Sequence, residues 1–92
     1  KRIIDKAHNN DVLVIGSNHD FDKTPNTKEI YSRLKCMYDI GMDVSKIAVM
    51  PKSKMDVIRL LEATCEINEE YDDIKTITMS MRVVAVLFQV RN

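Results

Sequence analysis

Ninety-two residues is less than one average domain, which takes about 100–200, and 14 Lys and Arg balance 14 Asp and Glu. Zero net charge argues against a nucleic-acid binder that relies on bulk positive charge, and 45% hydrophobic content argues against a disordered acidic tail. No apolar run approaches the roughly 20 residues that cross a bilayer, so no transmembrane helix is expected.

Lys1 to Asn9 read as the last turns of a helix, with Asn9-Asn10 as its stop. The chain opens on Lys1-Arg2 with no initiator Met and on a helix whose start is missing, so its ends read as cut, and the lack of a visible signal peptide then carries no force. Val12-Leu13-Val14-Ile15 is a β-branched run ending at Gly16-Ser17-Asn18, which predicts a buried strand and a turn. Phe21 to Asn26 is a polar loop. Thr27 suits an N-cap, and Ile30, Tyr31, Leu34, Met37 and Tyr38 recur at helical spacing until Gly41 closes the helix. Lys46 to Met50 is a second strand, halted by Pro51. Ser53 is the next N-cap. Val57, Ile58, Leu60, Leu61, Thr64, Cys65 and Ile67 mark an amphipathic helix running to about Tyr71. Ile74 to Met79 is a third strand ending near Ser80. Val83 to Val90 is strongly apolar and fits either helix or strand. Cys36 and Cys65 fall in the helical stretches, where two buried thiols in a reducing compartment are the expectation.

Strands alternating with helices imply right-handed crossovers and a parallel sheet. An open doubly wound sheet and a (β/α)8 barrel both satisfy the pattern. Three strands complete neither, and a barrel needs about 250 residues. An isolated three-stranded parallel sheet would also leave two unpaired edges. The chain is therefore expected to be part of a larger fold.

Two residues stand out chemically. Ser17-Asn18-His19-Asp20-Phe21 follows the first strand, at the end where parallel α/β folds place ligands and catalytic groups. His19 can take and return a proton near neutrality; alternatively it is a loop histidine capping backbone groups. Lys46 opens an apolar strand. Alternation puts Lys46, Ala48 and Met50 on one face and Ile47 and Val49 on the other, toward the flanking helices. A lysine turned into a packed interior loses solvation as a cation, and its neutral amine can attack a ketone or aldehyde to give an imine. The alternative is a lysine at the strand mouth with its ammonium in solvent.

Other features read as structural. His8 is expected to be an exposed polar residue. Lys52 and Lys54 flank a helix start and could face an anion, but Pro51-Lys52-Ser53-Lys54 reads first as a solvated loop, and Glu66, Glu69, Glu70, Asp72 and Asp73 as a solvated helix end without the oxygen spacing of a calcium loop. Cys36 and Cys65 form no zinc spacing. Gly16 and Gly41 are the only glycines and make no phosphate loop. Met79 and Met81 could line a pocket, though core packing is the default for methionine.

Taken together, three segments carry a resemblance. Ser17 to Phe21, followed by Lys23-Thr24-Pro25, resembles the loop after the fifth strand of type I 3-dehydroquinate dehydratases. Lys46-Ile47-Ala48-Val49-Met50-Pro51 resembles the family's sixth strand, and Thr76-Ile77-Thr78-Met79-Ser80-Met81 its seventh. The likeness runs over roughly residues 1 to 81, in the family's order. It implies a partial (β/α)8 TIM barrel with α/β class, of about three parallel strands and flanking helices. On this view residues 1–92 are a fragment of one catalytic domain and residues 82–92 a divergent tail.

The resemblance also implies a lyase of the shikimate pathway, leading to aromatic amino acids, that removes water from 3-dehydroquinate to give 3-dehydroshikimate. Lys46 would form the Schiff base and His19 would be the general acid/base. It implies no metal or organic cofactor, since a protonated imine is itself the electron sink. It further implies a small-molecule substrate, no nucleic-acid or membrane partner, a cytoplasmic location and a homodimer at full length. The family's earlier strands carry a glutamate that pairs with the histidine and arginines that hold the substrate, and neither is in this chain. After Met-Ser-Met the family continues with a glycine and then Ser-Arg, the arginine binding the substrate carboxylate. Here the matching positions are Ala85 and Phe88-Gln89, and Gln89 supplies no cation. Arg91 would take its place only after a two-residue slip. Two other readings stay open: a class I aldolase, which also uses an inward strand lysine, and a non-catalytic truncated homologue.

Overall fold

The structure, a computed structural model, describes residues 2–81 and 85–88, with side chains from 3 to 81. In chain order the elements are α1 (Arg2–Asn9), β1 (Ile15–Asp20), α2 (Thr27–Asp39), β2 (Val44–Val49), α3 (Lys54–Glu70), β3 (Thr76–Ser80) and β4 (Ala85–Phe88). The sheet order is β1-β2-β3-β4, with β1, β2 and β3 parallel.

The core lies between α2, α3 and one face of the sheet. Ile47 and Val49 of β2 are fully buried there with Ile30, Leu34 and Met37 of α2 and Leu60, Ala63 and Ile67 of α3. The alternation expected for β2 therefore holds. Helix α3 meets β3 through a polar seam. Thr64 Oγ1 donates to Leu60 O (2.7 Å) and lies 3.2 Å from Thr78 Oγ1. Asn68 Nδ2 donates to Thr64 O (2.8 Å) and Thr76 Oγ1 (2.9 Å). Buried hydroxyls and amides need such partners, because an unpaired one keeps its full desolvation cost.

The element boundaries differ from expectation for local reasons. Residues 12–14 are not strand, and Val12 and Leu13 are exposed. Asp11 turns the chain at φ 58° after α1. Val14 then bonds Asp43, its N–H donating to the Asp43 carboxylate and its carbonyl accepting from Asp43 N. Strand β1 instead runs through the polar stretch up to Asp20, because β2 offers it a continuous parallel partner. Lys46 is consequently the third residue of β2 rather than the first, and β3 begins at Thr76 rather than Ile74.

Asn26, not Thr27, caps α2, its side chain accepting from Glu29 N (2.9 Å). Thr27 Oγ1 is free to donate to Glu62 of α3 (2.9 Å). Gly41 ends α2 as expected, with φ 98°, a conformation that glycine adopts without Cβ strain. Ser53 occupies the N-cap of α3 but makes no side-chain cap. Asp56 accepts from Lys52 N (2.8 Å) instead.

Cys36 and Cys65 are free thiols, but both are exposed rather than buried. Each lies on a helix face turned away from the sheet, whose inward positions belong to Leu34, Met37, Thr64 and Ile67. Tyr31 and Tyr38 of α2 are half-buried and donate to Glu70 and Asp73, so the acidic end of α3 is partly engaged rather than purely solvated.

Residues 85–88, left open between helix and strand by their composition, form β4. It pairs antiparallel with β3 in the register Ile77↔Phe88, Thr78↔Leu87, Met79↔Val86 and Ser80↔Ala85. Only residues 81–84 separate the two strands. A parallel return needs a crossover of at least about 10–12 residues, so the chain must come back antiparallel. The positions of Gln89 and Arg91 lie outside the described residues.

Candidate functional site

Parallel pairing fixes which side chains share a face. The register Ser17↔Lys46↔Ile77 and His19↔Ala48↔Met79 puts these residues on one side of the sheet. Helices α2 and α3 pack on the other side, against Ile47 and Val49. Ser17 and His19 are exposed, and Lys46, Ile77 and Met79 are half-buried. Ala48 between them is buried, since its single methyl is shorter than its neighbours. His19 and Lys46 thus stand on adjacent strands, two residues apart in register, a Cα separation of about 8 Å.

Among the described residues neither His19 nor Lys46 has a hydrogen bond or ion pair to another side chain. An imidazole and an amine with free polar atoms on one face are available to a reactant. The His19 ring stacks on Phe21, with centroids 5.8 Å apart and planes at 29°. His19 is the fifth residue of β1, not a residue of the following loop, so its backbone is held by the ladder.

The alternate residues of the same stretch face α2. Asn18 Oδ1 accepts from Arg33 (3.1 Å), and Asp20 Oδ2 lies 3.7 Å from the same guanidinium. Asp20 Oδ1 accepts from the backbone N–H groups of Asp22 and Lys23, each at 3.1 Å, which turns the chain off the strand. Burial works upward on the Asp20 carboxyl. The N–H groups of Asp22 and Lys23, then the charges of Arg33 and Lys23, outweigh it and hold the carboxyl below its usual value. The loop continues to β2, where Met50 N donates to Lys23 O (3.2 Å) and Thr24 Oγ1 donates to Met50 O (2.9 Å).

Sequence reasoning identified His19 and Lys46, and the structure brings them to one face. It did not identify Arg33 and Asp20. For Asp20 a signal was present, since extending β1's period of two through Ser17–Asp20 separates Ser17 and His19 from Asn18 and Asp20; for Arg33, in α2, the sequence carried none. Lys52 and Lys54 do not join this face, since Lys52 lies in the loop before α3 and Lys54 begins the helix. Met81 extends the ladder, its N–H donating to Val49 O (2.9 Å). His8 is exposed as expected, but its Nε2 donates to Asp43 (2.8 Å) at the opposite, N-terminal end of the strands. Among the described residues no group of three or more His, Cys, Asp and Glu is placed to hold a metal, and no helix is long and apolar enough to cross a membrane.

Comparison with known proteins gives a consistent set. The profile of a family described as Type I 3-dehydroquinase matches residues 1–92. The 3-dehydroquinate dehydratase of Bacillus licheniformis is 56% identical over 81 residues, 88% of this chain and 32% of that protein. A solved type I 3-dehydroquinate dehydratase from Clostridium difficile, with covalently modified comenic acid, is 51% identical. It superposes with a TM-score of 0.77 over 85% of this chain and 32% of that one. The 3-dehydroquinate dehydratase from Enterococcus faecalis, 41% identical, gives a TM-score of 0.82 over 87% of this chain and 33% of its own. The chain spans about a third of the length of the curated relatives it matches.

Proposed function

Because this chain belongs to the type I 3-dehydroquinase family, we propose that its sheet carries the Schiff-base chemistry that dehydrates 3-dehydroquinate to 3-dehydroshikimate. Its three parallel strands with their helices are part of a (β/α)8 barrel wall. In this reading residues 1–92 lie within one catalytic domain and residues 82–92 form its divergent tail. The uncovered face of the sheet is the side that would line the barrel interior.

The observation that carries the reading is the placement of His19 and Lys46 on that one face, on neighbouring strands, with no side-chain hydrogen bond or ion pair to either among the described residues. The Lys46 amine adds to the substrate ketone, and loss of water gives a protonated imine. His19 removes the proton from the adjacent carbon, and the imine accepts the electron pair as an enamine. Return of that pair expels the hydroxyl, which leaves as water after taking a proton from His19. Hydrolysis of the imine then restores the amine. The covalently modified ligand of the Clostridium difficile relative supports covalent chemistry in this family. No resident cofactor is required by these steps. We further propose that the complete protein is a cytoplasmic homodimer, and sedimentation of the complete protein checks the dimer.

The test is borohydride reduction of protein made from the complete reading frame, in the presence of 3-dehydroquinate. An adduct of substrate mass is expected on Lys46, absent in Lys46→Ala, with turnover reduced on the order of 10,000-fold or more. Adduct on any other lysine would sink the assignment. Trapping of a sugar phosphate instead would favour a class I aldolase. A second reading, a non-catalytic homologue, rests on antiparallel β4, which follows β3 where a barrel would place another crossover helix. Absence of both adduct and turnover would favour it.

A further inference from the structure

We propose that Arg33 and Asp20 are positioning residues that aim His19 at Lys46 from behind the sheet; the inference rests on the function proposed above. Arg33 sits in α2, on the face of the sheet away from the chemistry. Its guanidinium donates to Asn18 Oδ1 (3.1 Å) and to Glu29 Oε1 (3.3 Å) and lies 3.7 Å from Asp20 Oδ2. Asn18 and Asp20 are the chain neighbours of His19. One planar cation therefore holds the side chains on both sides of the imidazole residue against the same helix.

Asp20 adds a second constraint. Its other oxygen takes the N–H groups of Asp22 and Lys23, so the chain leaves the sheet after Asp20, one residue past His19. The turn continues to the end of β2 through Lys23, Thr24 and Met50. Lys46 lies on β2, four residues before Met50. The brace thus links the backbone under the imidazole to the strand that carries the amine. Arg33 and Asp20 have only 26% and 15% of their side chains exposed, so water competes weakly for these contacts. The three acceptors are spread around one guanidinium, a geometry that a lysine ammonium does not reproduce.

The test uses protein from the complete reading frame, with Arg33→Ala, Arg33→Lys and Asp20→Ala, and Lys35→Ala as a surface control on the same helix. Borohydride trapping with 3-dehydroquinate counts competent sites, so that kcat is expressed per trappable site and loss of folded protein is divided out. Arg33→Ala and Asp20→Ala are expected to lower kcat per site by about 10- to 100-fold, since sub-ångström to 1 Å misplacement of a catalytic group costs that much. KM is expected to stay within about twofold. Arg33→Lys is expected not to rescue. The His19 ring resonances, recorded without substrate, are expected to move and broaden in all three variants and not in Lys35→Ala.

Per-site kcat unchanged in Arg33→Lys and Asp20→Ala would overturn the proposal, as would His19 resonances that match the parent. Should Arg33→Ala fail to fold, those two variants decide. If the parent protein traps no substrate on Lys46, the dehydratase reading fails, while the His19 resonances still decide whether the brace exists.

Discussion

On the helix-covered face of the sheet Ile47, Val49 and Thr78 have no exposed surface. On the opposite face Ser17 and His19 are exposed and Lys46 is half-buried. The same three strands make both faces, and the difference lies only in which residues alternate. On the covered side several polar side chains are matched to a helix, Thr78 to Thr64, Thr76 to Asn68 and Asn18 to Arg33, while Ser45 Oγ, Asn68 Oδ1 and Ser80 Oγ are buried without a partner among the described residues. On the open side the imidazole and amine have no side-chain hydrogen bond or ion pair among the described residues. On the proposed function, stability and chemistry are thereby separated along one backbone, and substitutions on the two faces should produce different kinds of loss.

The sharpest way to break this comparison is at His19. His19→Ala removes the proposed proton carrier from the open face and no core contact. Turnover of 3-dehydroquinate by the complete protein is expected to fall about 100- to 10,000-fold, with borohydride adduct on Lys46 forming more slowly but still forming. The thermal midpoint should stay near that of the parent. A large drop in stability would show that the open face also supports the fold, and the separation would be wrong.

The converse substitution is Ile47→Ala, one residue along from Lys46 but pointing into the core. It leaves a cavity among Ile30, Leu34 and Leu60, and is expected to cost about 2–5 kcal/mol in denaturant unfolding. Activity per folded molecule should change little, because the open face keeps its side chains. If per-site activity fell as far as in His19→Ala, the covered face would have to be counted part of the site.

The covered face of β2 was legible in the sequence because Ile47 and Val49 alternate with Lys46 and Ala48, and the helices were legible from Ile30, Leu34, Leu60 and Ile67. Strand β1 was harder. Its residues from Ser17 to Asp20 carry no apolar signal, since one alternate set faces Arg33 and the other faces open space. A strand made of such residues is specified by its parallel neighbour and not by its own propensity. The exposed thiols were misread for a related reason: Cys36 and Cys65 belong to helices whose apolar stripe is already filled, and helical periodicity does not say which positions of a wide stripe reach the sheet. The lysine and histidine were found from chemistry and resemblance. Their brace was not, because Arg33 sits in a helix remote from the motif and only the folded register brings it beneath His19.

The smallest expected effect lies at the other end of the strands, away from both faces. Asp43 accepts from Val14 N (2.6 Å) and from His8 Nε2 (2.8 Å), tying α1 and the entry to β1 onto the start of β2. The Val14 N–H first, and His8 second, hold the Asp43 carboxyl below its ordinary value of 3.8, against the upward push of burial. A carboxyl with a depressed pKa in the folded state contributes stability that is complete above its unfolded value. That contribution is lost as pH falls through the folded one. The parent should therefore exceed Asp43→Asn in stability at neutral pH, with the gap closing below about pH 4. The parent itself will still weaken in acid, because Asp20 and Asp56 are held low in the same way. Thermal midpoints of both proteins across this range measure the gap. A gap that stays constant into acid would mean that the Asp43 charge is not what ties these segments together, and the variant's loss would then belong to hydrogen-bond geometry alone.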